Sequence, residues 1–90
     1  MGRDRDSSQV IVTAAALGLA TRVLRGRGGL TQRALADRAE LTRQAVGEVE
    51  RAYVNVSLET INALCVGLGA RPSELFKEAE RIADLATIKK

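Results

Sequence analysis

Apolar residues recur at three- and four-residue steps along most of the chain, with no alternating run long enough to suggest a half-buried strand. The pattern predicts short helices punctuated by cap and turn residues. A first helix is expected from about 9 to 25, where Leu17, Ala20, Val23 and Leu24 share a face before Gly26, Gly28 and Gly29 supply a stop. Thr31 reads as the hydroxyl cap of a second helix over 32–39, with Leu35, Ala36 and Ala39 inward. Thr42 caps a third, from 43 to about 51, that turns Val46 and Val49 inward. Beyond a loop at 52–56, Ser57 caps a fourth whose Leu58, Ile61, Leu64, Cys65 and Leu68 form the clearest stripe, ended by Gly69. Pro72 suits the first turn of a fifth, lined by Leu75, Phe76, Ala79, Ile82, Ala83 and Ala86. The expected fold class is therefore all-α, five helices in one small domain.

Composition narrows the chemistry. Ninety residues accommodate one core. With 46% apolar and 28% charged residues the chain has the material to fold. It contains no His and a single cysteine, Cys65. An intrachain disulfide, a Cys/His metal site and imidazole catalysis are thereby excluded. The expectation is a protein that is not an enzyme and holds no cofactor, with Cys65 a small apolar residue of the fourth helix. The run at 10–20 resembles a signal-peptide core, but Asp4 and Asp6 cancel Arg3 and Arg5, and the run is far short of the ~20 residues that cross a bilayer. Asp6 also stands where a myristoylation signal wants Ser or Thr. A soluble, cytoplasmic protein is expected, with residues 1–8 a flexible arm.

The net charge of +3 is unevenly spread: residues 1–33 hold six Arg and two Asp, whereas 52–90 hold five basic and five acidic groups. A basic front suits a phosphate backbone, although a solubilising surface fits a surplus of this size almost as well. The second and third helices, about eight residues each and joined by Glu40, Leu41 and Thr42, have the proportions of a helix-turn-helix, whose second helix enters the DNA major groove.

Residues 30–76, LTQRALADRAELTRQAVGEVERAYVNVSLETINALCVGLGARPSELF, resemble the Cro/repressor (XRE) family of helix-turn-helix DNA-binding domains. The marks are Leu30-Thr31-Gln32 opening the second helix, Leu35-Ala36 within it, Leu41-Thr42 in the turn, Val49-Glu50-Arg51 closing the third, and Ser57-Leu58-Glu59-Thr60 opening the fourth. Leu17-Gly18, Arg22 and Leu24-Arg25 extend the likeness into the first helix. The resemblance implies a compact five-helix repressor-like domain. Glu40 departs from it, standing where the family commonly has a turn glycine that adopts left-handed backbone freely. Ala52 and Val56 replace the usual Gly and Pro near the loop.

With Thr42 as cap, Arg43, Gln44, Gly47 and Glu48 share the side of the third helix opposite Val46 and Val49. By resemblance the base-reading positions fall on Arg43, Gln44 and Glu48, with Ala45 and Gly47 near the groove floor. The side chains suit base edges: Arg for guanine, Gln for adenine, a carboxylate for cytosine N4, and Ala45 for a thymine methyl. Outside this motif such a stripe would be read as a solvated face. Gly47 inside a helix costs about 1 kcal/mol against Ala, which close approach to DNA or to the second helix would explain. The resemblance gives Gln32 a phosphate, at a helix start where free N–H groups favour an anion. Arg33, Arg51 and Asn55 are further phosphate candidates, while Arg22 and Arg27 read better as solvated surface. Arg25 and Glu50 match two family positions that pair across the first and third helices, a structural role.

One such module covers only about 600–1,000 Å² on DNA, which favours a dimer on two half-sites. Residues 77–90 extend the fifth helix, and Phe76, Ile82 and Leu85 are the expected dimer contact, with Val10, Ile11 and Val12 a second candidate; the alternative is that both segments simply cap the monomer core. The expected function is sequence-specific binding of double-stranded DNA by a homodimeric regulator reading a palindromic operator. The family's stand-alone members include phage repressors, restriction-modification controllers and antitoxins with a toxin as protein partner. A protein-protein adaptor with its polar third helix against another protein is the alternative.

Overall fold

A computed structural model describes residues 10–88. It contains α1 (Ala14–Arg27), α2 (Gln32–Ala39), α3 (Arg43–Glu50), α4 (Leu58–Leu68) and α5 (Pro72–Ile88), with no strand among the described residues. The arm expected at 1–8 and the last two residues of the 77–90 extension lie outside them.

Four helices start on a hydroxyl. Thr31, Thr42 and Ser57 accept from the backbone N–H three residues on, at 3.0, 3.0 and 3.1 Å. Thr13 does the same for Ala16 at 3.1 Å, so α1 begins at Ala14 and not near residue 9 as the apolar run implied. The β-branched run Val10-Ile11-Val12-Thr13 is poor helix material, and a capping hydroxyl at its end fixes the start. At the other end Gly26 is carried inside the helix, and Gly28 and Gly29, the latter at φ 70°, make the stop. The fifth helix opens on Pro72, with Glu74 Oε1 accepting from the Arg71 N–H at 2.7 Å. Glu40 ends α2 at φ 58°, ψ 41°, so the turn keeps the left-handed geometry glycine would adopt, with a side chain in its place.

Two apolar clusters meet at α4. Ala16, Leu17, Ala20, Ile61, Cys65, Leu75 and Ala79 form one, where α1, α4 and α5 converge. Leu35, Ala36, Val46, Val49 and Leu64 form the other, under the α2–α3 pair. Helix packing is closest at two glycines. A Cβ on Gly18 would lie 2.3 Å from the Val49 carbonyl oxygen, and one on Gly67 would lie 2.7 Å from Leu35 Cδ1. Thus α1 and α4 grip α3 and α2 from two sides. Gly18→Ala is expected to cost about 1–3 kcal/mol in urea unfolding, because backbone and not a flexible side chain would have to move. Gly26→Ala, with open space around it, should instead gain about 0.5–1 kcal/mol from helix propensity. Equal stability of the two variants would refute the close crossing.

Candidate nucleic-acid interface

The cap on Thr42 sets the first turn of α3 at the surface, leaving Arg43 and Gln44 exposed while Val46 and Val49 are buried. Ala45 and Glu48 are half-buried. Gln44 Nε2 donates to Glu48 Oε2 at 3.1 Å, one helical turn along. Gly47 is buried, and the atoms a Cβ there would meet first belong to the Arg51 guanidinium, at 3.1 Å. Within the protein the second helix is not what lies nearest: Arg51 lies across Gly47, and the space belongs to its side chain. The same guanidinium stacks on the ring of Tyr53, 4.9 Å from its centroid.

Behind this face runs a chain of polar contacts. Arg25 Nε donates to Glu50 Oε2 at 2.7 Å and its NH2 to Glu50 Oε1 at 3.0 Å, a forked pair joining α1 to α3. Arg25 NH1 also donates to the Leu30 carbonyl at 2.9 Å. The Glu50 side chain is 3% exposed and that of Arg25 17%. Glu50 holds the Arg25 guanidinium above its ordinary pKa, against the opposing effect of burial. Gln32 then extends the chain outward: its Nε2 donates to Glu50 Oε1 at 3.0 Å, and its Oε1 accepts from Arg43 NH1 at 3.0 Å. One amide at the start of α2 therefore connects a buried carboxylate to the exposed guanidinium at the start of α3. The Gln32 side chain, the expected phosphate contact, bonds to these two partners in the free protein.

The remaining candidates are dispersed. Arg33 is exposed on α2. Asn55 lines a shallow hollow of about 240 Å³ with Val12, Leu17, Ile61 and Phe76, apart from the Gln32–Arg43 network. Arg22 is exposed, and Arg27 lies 3.7 Å from Glu78, joining α1 to α5. A hydrogen bond from Arg81, with the charges of Arg81 and Arg27, holds the Glu78 carboxyl below its usual range. Of the expected dimer contacts, Phe76 and Ile82 are half-buried and pack on the α1–α4–α5 cluster, and only Leu85, 48% exposed, stands free of it. Cys65 is buried, and burial with the nearby Glu74 charge pushes its thiol pKa up, as suits an inert packing residue. No helix among the described residues is long and apolar enough to cross a membrane.

Two short helices at a three-residue turn, a polar first turn on the second, and a buried ion pair behind it match a known arrangement. A family profile described as helix-turn-helix domain matches residues 16–78. The chain belongs to the helix-turn-helix domain family. Among solved structures, the helix-turn-helix chain is similar to the restriction-modification controller protein C.AhdI from Aeromonas hydrophila, 43% identical over 70% of this chain and 96% of that one, with a TM-score of 0.68. It is also similar to the clp gene regulator ClgR from Corynebacterium glutamicum, 30% identical over 90% of this chain and 86% of that one, with a TM-score of 0.82. No curated protein sequence matches it.

Two features of the helix-turn-helix surface escaped the sequence. Tyr53 sits in a loop without periodicity, and its only sequence signal is an arginine two positions earlier. The Gln32–Arg43 bond joins residues eleven positions apart, each the first residue of its helix.

Proposed function

We propose that this helix-turn-helix domain is a sequence-specific, homodimeric DNA-binding transcriptional regulator that lays α3 in the major groove of each half-site of a palindromic operator. The observation that carries the reading is Arg43, exposed at the first turn of α3 yet tied through Gln32 to the buried Glu50. A guanidinium fixed before DNA arrives can meet guanine O6 and N7 with little ordering cost. Gln44 and Glu48, bonded to each other in the free protein, are the adenine and cytosine readers, and Ala45 faces a thymine methyl.

Gln32 sets Arg43 with its amide, while its backbone N–H in the open first turn of α2 remains for a phosphate. Arg33 and Arg51 add phosphate contacts on either side, Arg51 braced by Tyr53. The domain works in the cytoplasm, where its DNA is. One similar protein is a gene regulator and the other a controller protein by name, and the likeness to C.AhdI favours the restriction-modification controller among the stand-alone roles. The family and both neighbours are regulatory, not enzymatic.

Selection of bound duplexes from a random pool, followed by salt titration of the best one, tests this. The expected result is an enriched inverted repeat with half-sites about one helical turn apart. Its log affinity should fall steeply with log salt, by about 0.9 per neutralised phosphate. No enrichment, with only weak binding that vanishes at physiological salt, would favour the protein-protein adaptor instead.

A further inference from the structure

Among the described residues, helix α4 has an outer face without a neighbour. Ile61, Leu64, Cys65 and Gly67 are buried on its inner side, against α1, α2 and α5. Leu58, expected on the inner stripe, stands as the first residue of α4 beyond its neighbours and is instead 70% exposed; Val66 is 75% exposed on the same outer side, and Asn62 lies between them at the same four-residue step. Tyr53, 71% exposed, and Val54, 40% exposed, stand in the loop that leads into this helix. In a chain that is 28% charged, α4 carries a single charged residue, Glu59. Apolar residues are exposed elsewhere too, Ile11 at 61% and Leu19 at 43%, but the most exposed ones on any helix are the α4 pair Leu58 and Val66, whereas on α5 Phe76 and Ile82 serve the core.

We propose that the outer face of α4 is where a second copy of this chain docks, α4 against α4, antiparallel, with the two-fold axis passing beside Asn62. An isologous contact demands a surface complementary to itself. The pattern Leu58, Asn62, Val66 meets that demand, since it reads apolar, polar, apolar in both directions about its centre. Antiparallel pairing sets Leu58 on Val66 of the partner subunit, twice, and brings the two Asn62 side chains together. A carboxamide has both donor and acceptor groups, so two copies satisfy each other across the axis. One polar residue at the centre of an apolar seam also fixes register.

Charge selects the occupant. A strongly acidic or basic partner would find no countercharge on the stripe, whereas a second copy brings an equally neutral one. The same arrangement carries Glu59 toward the far end of the opposite α4, where the chain continues to Arg71. Both are exposed, and neither is in an ion pair among the described residues.

This inference deepens the dimeric reading above and rests on it, but its test needs no DNA. Sedimentation of the full chain over a concentration series should show a dimer. Asn62→Asp and Asn62→Lys each place like charges on the axis, and should each raise the dissociation constant at least tenfold. Because Asn62 is exposed, helical circular dichroism should not change. An equimolar mixture of the two variants should recover the dimeric mass, since opposite charges then meet. Leu85→Lys should leave the dimer intact. A dimer that survives both Asn62 substitutions, or that Leu85→Lys breaks instead, overturns the α4 contact while leaving a dimeric regulator standing. A wild-type chain that stays monomeric throughout, yet selects a DNA sequence, overturns the contact and the dimer but not the groove reading.

Discussion

Glu50→Ala is expected to lower unfolding stability by about 3–5 kcal/mol, the cost of stripping one partner from a buried ion pair. The carboxylate is 3% exposed and accepts from Arg25 twice and from Gln32 once. Without it, the Arg25 guanidinium keeps its bond to the Leu30 carbonyl, and a largely buried charge is left without its countercharge. In a domain of this size the melting temperature should fall by at least about 12 °C. The double variant Arg25→Met, Glu50→Leu should recover most of that loss, because apolar residues of similar volume remove the charge and its partner together. Thermal unfolding of the three proteins decides the matter. A melting temperature for Glu50→Ala within about 2 °C of the parent would mean that the pair holds α1 to α3 only incidentally.

Arg43→Ala is expected to cost about 1–3 kcal/mol of discrimination at one base pair of the operator. The loss should be concentrated there: binding to duplexes already mismatched at that pair should change far less. Arg43→Lys should keep the charge and the salt slope yet lose most of the discrimination, since an ammonium cannot present two parallel N–H groups. Titration of each variant against the selected duplex and its single-substitution series gives the answer. A uniform loss on every duplex would make Arg43 a phosphate contact. Glu50 bears on this second result as well, because it anchors the amide of Gln32 that holds Arg43.

How far the sequence revealed this depended on the range of the signal. The caps on α2, α3 and α4 were legible because a hydroxyl acts on an N–H three residues away. The start of α1 was not, because an apolar run continues past Thr13 and hides the point where β-branched residues give way to alanines. The α3 core positions Val46 and Val49 followed from spacing alone. The Arg25–Glu50 contact was foreshadowed only by family likeness, since 25 residues separate the two. The Gln32 link could not be read, since it depends on how two helix starts face each other across the turn. Gly47 shows the same limit: its size answers to a side chain four residues on, and the direction of that side chain is a matter of packing. For Phe76 and Ile82 the sequence left dimer contact and core cap open, because a stripe gives a face but not which neighbour covers it; both pack on the α1–α4–α5 cluster.

The turn after α2 and the loop after α3 both hold a residue with a side chain in left-handed backbone, Glu40 at φ 58° and Ala52 at φ 61°. Each forgoes roughly 1–2 kcal/mol that glycine would not. The domain therefore stands below the stability its own architecture allows, as natural sequences held only to a working threshold do. Room for stabilising substitution is thus located at two left-handed backbone positions, both outside the two apolar clusters.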